Sequence, residues 1–167
     1  MLSAESASGK YPVAAVEMMN RIVQEVEADP LYRQLIDASH APALPGEVSV
    51  SEAVCCAMRR VVTLLRCAAV VSFTRFGATS LRAARERPEA PVLGLTPVMQ
   101  TARRLALAWG VHPVHIEDVA NVTEMTAVAC RVAGEQGFTT SSQTVVVIAG
   151  VPFGASGSTN LLRIATV

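Results

Sequence analysis

From about residue 49 onward, short apolar runs alternate with stretches of helical periodicity, and this alternation restricts the fold more than any other feature of the chain. The runs at 68–73, 91–95 and 144–149 are rich in Val, Leu and Ala, and 111–116 reads as a further short strand. Runs of that length and polarity suit strands buried on both faces. Ser51 is placed to cap a helix over about 52–67, with Val54, Met58, Val61, Val62 and Leu65 on its apolar face. A polar turn at 74–79 leads into a helix ending near Arg87-Pro88. Thr96-Pro97 opens another, with Met99, Ala102, Leu105, Ala106 and Trp109 on one face and Gly110 at its end. Asn121 and Glu124 have capping-box spacing ahead of Met125, Val128, Ala129 and Val132, and Gly137 stops that helix. Residues 161–167 form a closing edge strand, expected antiparallel. The expectation is an α/β fold: a mostly parallel sheet of about five strands with helices on both faces.

The first forty residues read differently. Ala15, Met18, Met19, Ile22 and Val26 recur at helical spacing from about 13 to 28, with Pro12 in the first turn and Asp29-Pro30 as the stop. Residues 40–48 are rich in Pro, Ala and Gly without periodicity. The chain therefore divides into a segment 1–40, a linker 41–48 and an α/β domain 49–167.

Composition narrows the function classes. Lys+Arg and Asp+Glu are both 14, so no basic field exists to hold nucleic acid or anionic lipid. Lys10 is the only lysine, which argues against Walker-type or Schiff-base chemistry. No apolar run approaches the ~20 residues of a membrane span, and the N-terminus lacks a signal-peptide pattern. A cytoplasmic setting is the default expectation. Cys55, Cys56, Cys67 and Cys130 show no zinc-like spacing and read as reduced, buried thiols.

Two loops have binding character. In residues 74–79, between a strand end and a helix start, Thr74, Arg75, Gly77 and Thr79 could surround an anion such as phosphate. The alternative is an ordinary strand–helix turn capped by Thr79 or Ser80. In residues 150–160, Gly154, Ser156, Gly157 and Ser158 supply flexible backbone and hydroxyl donors, yet the segment lacks the ending of a P-loop. The alternative there is a plain hairpin connection. His112 and His115 should point to opposite faces of one strand, so a shared metal is not expected. Trp109 reads as core packing, Arg59, Arg60, Arg103 and Arg104 as solvated helix faces, and Glu117 and Asp118 as carboxylates without an acid–base partner.

Residues 1–12, MLSAESASGKYP, follow the pattern M-L-S-G-E-S/T-A-x-G-x-Y-P, and the chain resembles pyruvate kinase. Glu52-Ala53-Val54, RPEAPV at 87–92, TARRLALAWGV at 101–111 and Ser158-Thr159-Asn160 extend the resemblance over essentially the whole chain. It implies that residues 1 to about 30 are the last strand and helix of a catalytic TIM barrel. Ser3 would border the substrate pocket of an intact enzyme, and Ala4 stands where the family has glycine. The resemblance further implies transfer of phosphate from phosphoenolpyruvate to ADP with Mg²⁺ or Mn²⁺ and K⁺. The residues that perform it would lie outside this chain, which is expected to hold no catalytic residues and no cofactor or metal of its own. Residues from about 49 resemble the C-terminal regulatory domain. There a T-x-S/G-G-x-S/T loop holds the phosphate of an effector, a sugar phosphate or a nucleoside monophosphate. Thr74, Gly77 and Thr79 match; Phe76 replaces a small residue and is expected to crowd the loop, and Ala78 replaces one that is often basic. The family forms homo-oligomers. Three readings stay open: part of an active enzyme, a stand-alone sensor of phosphorylated metabolites, or a structural assembly domain.

Overall fold

The structure, a computed structural model, describes residues 1–40, 48–152 and 159–167. It divides into two compact units, Met1–Pro42 and Ala43–Val167.

The first unit is helical: α1 (Ala4–Ala7), α2 (Pro12–Ala28) and α3 (Pro30–Ser39). Pro12 occupies the first turn of α2, where its missing N–H costs nothing. Asp29 ends α2 and begins α3, its carboxylate accepting the Leu31 N–H at 2.8 Å. The Asp29-Pro30 stop is therefore also a start, because Pro30 fits the first position of α3 as Pro12 fits that of α2. The expected strand near the N-terminus is absent from the described residues of this unit, and Ala4–Ala7 is a helical turn instead. A lone strand leaves its backbone groups unpaired; the turn satisfies some locally, with Ala7 N–H on Ser3 O at 3.1 Å and Ser8 N–H on Ala4 O at 2.9 Å. Met18, Ile22 and Val26 of α2 are about half exposed.

The second unit is the α/β domain. Its elements are α4 (Val50–Leu65), β1 (Ala69–Phe73), α5 (Ala78–Arg85), β2 (Val92–Thr96), α6 (Met99–Leu105), β3 (Val111–His115), α7 (Val122–Glu135), β4 (Thr144–Ala149) and β5 (Leu161–Thr166). The sheet order is β3-β2-β1-β4-β5. The first four strands run parallel, and β5 pairs antiparallel with β4 at the edge. The central strands are buried throughout, which is why their sequences show no polar alternation. The side-chain period of two divides them between two cores. Val71, Leu93, Leu95, Val145 and Val147 pack with Met125, Ala129 and Val132 of α7. Val70, Val92, Val146 and Ile148 pack on the other face with Cys55, Met58 and Val62 of α4 and Ala83 of α5.

Helix starts depart from the expected positions in two places. Ser49, not Ser51, caps α4, in a reciprocal box with Glu52. The box needs an acid three residues after the cap, and only Ser49 has one. Helix α6 begins at Met99, and Thr96 remains in β2, where its hydroxyl accepts the Val98 N–H at 3.2 Å. The α7 cap holds, with Asn121 accepting the Glu124 N–H at 2.9 Å.

The α4 box carries a pH dependence. Hydrogen bonds from the Ser49 hydroxyl and N–H, with a further one from Arg85, draw the Glu52 carboxyl from 4.5 down to about 2. A depressed carboxyl contributes stability that is present above its ordinary value and lost as pH falls through the folded one. Glu52→Gln should flatten the acid limb of the thermal-denaturation profile between about pH 4.5 and pH 2. A limb unchanged from wild type would show that the box contributes nothing to acid stability.

Candidate anion-binding site

The 74–79 loop leaves the sheet at the carboxyl end of its central strand, where open α/β sheets place their ligands. Thr74 prolongs the ladder, its N–H donating to Leu95 O at 3.0 Å. Its buried hydroxyl then accepts the Gly77 N–H at 2.8 Å and folds the chain back. Gly77 sits at φ +92, a left-handed conformation that side-chain-bearing residues rarely adopt, and serves as the N-cap of α5.

The carbonyls of this loop are held by α6 and the β2 end. Arg75 O accepts the Thr101 hydroxyl at 3.0 Å and the Thr96 hydroxyl at 3.4 Å, and Phe76 O accepts the Arg104 guanidinium. Among the described residues, no side chain caps α5. Its first-turn N–H groups therefore keep the positive end of the helix dipole directed at the loop, an arrangement that favours an anion. The Phe76 side chain is 58% exposed, so its bulk lies on the solvent side of the loop.

Two nominated residues are committed to partners within the domain. Thr79 is 8% exposed, and its hydroxyl shares a hydrogen bond with that of Thr159 at 2.9 Å. Thr159 is fully buried, and its N–H donates to Ser51 Oγ at 3.0 Å. Thr79 and Ser80 are buried within α5 and neither is its cap. Arg75 forms an ion pair with Asp118, Nη1 to Oδ2 at 2.9 Å, both side chains largely exposed. Asp118 thus has a partner that its sequence neighbourhood does not reveal.

The second loop is represented by its neck. Asn160 accepts the Val151 N–H at 2.8 Å and donates to Val151 O at 2.6 Å. Gly154, Ser156, Gly157 and Ser158 lie outside the described residues. Ser3 belongs to the helical unit, where its N–H and hydroxyl face the Glu5 carboxylate at 3.0 and 3.5 Å.

The weaker candidates resolve into structural roles. His112 lies 2.9 Å from Gln136 Oε1 and His115 3.3 Å from Pro97 O, separate partners as strand alternation demands. Trp109 is not core: it is partly exposed, with the Arg87 guanidinium 3.9 Å over its ring. Arg104 is more than a solvated face, since it holds the loop at Phe76. Cys55 and Cys67 are buried as expected and Cys56 is exposed; burial pushes the Cys55 thiol up to about 11, so it stays protonated at neutral pH. A cavity of about 390 Å³ lies at the end of β3, rimmed by Glu117, Asp118, Glu124, Arg131 and Glu135. Its excess of carboxylates disfavours an anion there.

Ser51, Thr96, Thr101, Arg104, Asp118 and Thr159 are residues of the candidate site whose contacts there sequence reasoning missed. Thr79 and Thr159 are 80 positions apart, and no local pattern joins them. The one signal that pointed there was the Ser158-Thr159-Asn160 motif.

The family profile described as pyruvate kinase, alpha/beta domain, matches residues 52–165. The chain belongs to the pyruvate kinase family. The matched stretch contains both loops and the whole sheet except Thr166, the last residue of β5. The pyruvate kinase of Methylorubrum extorquens is 43% identical over 167 residues, covering 100% of this chain and 34% of that protein. One from Agrobacterium vitis is 40% identical over the same length, again 34% of that protein, and one from Clostridium acetobutylicum is 34% identical and covered to 35%. The chain spans about a third of the length of these pyruvate kinases. Their similarity includes residues 1–48, so the helical unit belongs to the likeness as well as the α/β domain. Among the described residues, no helix is long and apolar enough to cross a membrane.

Proposed function

We propose that this chain is the regulatory and assembly part of a pyruvate kinase that acts in the cytoplasm and transfers phosphate from phosphoenolpyruvate to ADP. Mg²⁺ or Mn²⁺ and K⁺ would serve the intact enzyme at residues beyond this chain. The chain itself would bind a phosphorylated effector, a sugar phosphate or a nucleoside monophosphate, without performing the transfer. The observation that carries this reading is the 74–79 loop: its carbonyls are tied back by Thr96, Thr101 and Arg104 while the first turn of α5 is left uncapped. The second contact, for the non-phosphate part of the effector, would come from residues 150–160, a reading supported by the pairing of Asn160 with Val151 at the neck of that segment. The exposed Met18, Ile22 and Val26 of α2 support association with further protein surface, whether the rest of a barrel or another subunit.

Ala78 is the position from which to test the site. It is half-buried at the first position of α5, so a side chain there reaches the anion without entering the core. Ala78→Glu adds a charge the helix dipole tolerates but one that repels phosphate. Ala78→Arg adds a second basic residue to the loop, beside Arg75. In calorimetric titrations with inorganic phosphate and AMP, we expect weak binding by wild type and none by Ala78→Glu. Ala78→Arg should bind about tenfold more tightly, the scale of one added charge-assisted hydrogen bond. Binding indifferent to both substitutions would move the site elsewhere. No binding by any variant would leave the structural assembly reading.

A further inference from the structure

Resting on the reading of the 74–79 loop as an anion site, we infer that Asp118 sets its affinity by competing with the ligand for Arg75. Arg75 carries the only positive charge within the loop. Its main chain is fixed, with the carbonyl held by the hydroxyls of Thr96 and Thr101. Its side chain is half exposed and able to change rotamer, yet it is occupied by a carboxylate. Two contacts orient that carboxylate toward the arginine. Oδ1 accepts the N–H of Val119 at 3.1 Å, and Oδ2 faces the Arg75 guanidinium at 2.9 Å.

Asp118 stands at the end of β3, two strands from β1 in the sheet, in the connection to α7. It therefore brings a negative charge from another part of the fold to the rim of a site for negative ligands. The other charged groups on its side are Glu117 and Glu124, together with an Arg131–Glu135 pair at 2.8 Å. None of these supplies an unopposed cation to offset Asp118. A phosphate must displace Asp118 from Arg75, share the guanidinium with that carboxylate beside it, or bind without the arginine, and each route weakens binding. The pair is solvent-exposed, so the lock is shallow and reversible. A ligand with two or three anionic oxygens can take over the guanidinium in bidentate geometry, which one carboxylate oxygen does not match.

Asp118→Asn keeps the acceptor for Val119 and removes the charge. In calorimetry at low salt with the 167-residue chain, it should tighten inorganic phosphate and AMP binding by about two- to fivefold, the range of an exposed ion pair. The gain should shrink at high salt. It should also disappear in an Arg75→Gln background, while the thermal midpoint stays close to wild type. Binding seen with Asp118→Asn but undetectable with wild type would support the same conclusion. Equal affinities for wild type and Asp118→Asn would overturn the role of Asp118 and leave the site intact. A gain that persists with Arg75→Gln would show simple charge repulsion, and the competition would be wrong. Absence of heat in every variant, Ala78→Arg included, would remove the anion site and this inference with it.

Discussion

Gly94→Val is expected to destabilise the α/β domain strongly, because the added side chain has no room in the sheet. Gly94 lies in β2 between Ser72 of β1 and Pro113 of β3. A Cβ there would meet Ser80 Oγ at 3.0 Å, Val111 Cγ1 at 3.2 Å and Leu105 Cδ1 at 3.3 Å. Ser80 cannot retreat freely, because its hydroxyl is bonded to Ser72 Oγ at 2.8 Å, and Ser72 donates in turn to Leu93 O at 3.2 Å. Two effects oppose each other. Replacing a strand glycine recovers roughly 0.5–1 kcal/mol of backbone entropy. Overpacking a filled interior costs typically ~1–3 kcal/mol, and breaking the buried hydroxyl pair adds about as much again. The clash prevails. Gly94→Ala should lose about 1–2 kcal/mol and Gly94→Val at least ~3 kcal/mol of a stability that is generally only ~5–15 kcal/mol. Urea titration followed by circular dichroism measures both. A Gly94→Val midpoint equal to wild type would show that α5 and α6 yield to the added methyl groups.

The second large effect is an absence of turnover. The 167-residue chain alone should form no pyruvate from phosphoenolpyruvate and ADP with Mg²⁺ and K⁺, whereas kinases commonly reach ~1–100 s⁻¹. Phosphoryl transfer depends on cations positioned around the transferring group. This chain has a single lysine, Lys10, and two arginines at the candidate anion loop are engaged, Arg75 by Asp118 and Arg104 by a loop carbonyl. The curated relatives are about three times as long. A coupled assay across a gel-filtration peak decides the matter. Activity that co-elutes with the chain and scales with its amount would overturn the expectation.

How much of this could be read from sequence depended on the range of the interaction. The apolar runs gave the strands to within a residue or two, since a strand buried on both faces must be apolar along its length. Asn121 and Pro12 marked helix starts because a cap acts within one turn. Misplaced starts came from competing local signals. Ser49 and Ser51 are both plausible caps, and the position of Glu52 chooses between them.

The candidate anion site was legible only in part. Thr74, Gly77 and Thr79 fall within six residues, and the turn they make is a local event. The sequence thus determined that β1 ends in a glycine turn opening a helix. The tertiary structure decided what each side chain there does. Sheet order carries β3 to one edge and sets the end of β4 beside β1, which delivers Asp118 to Arg75 and Thr159 to Thr79. Those pairings join residues 43 and 80 positions apart. They follow from how helices and strands pack to bury apolar surface, a force without direction that leaves no local mark on the polar residues it brings together.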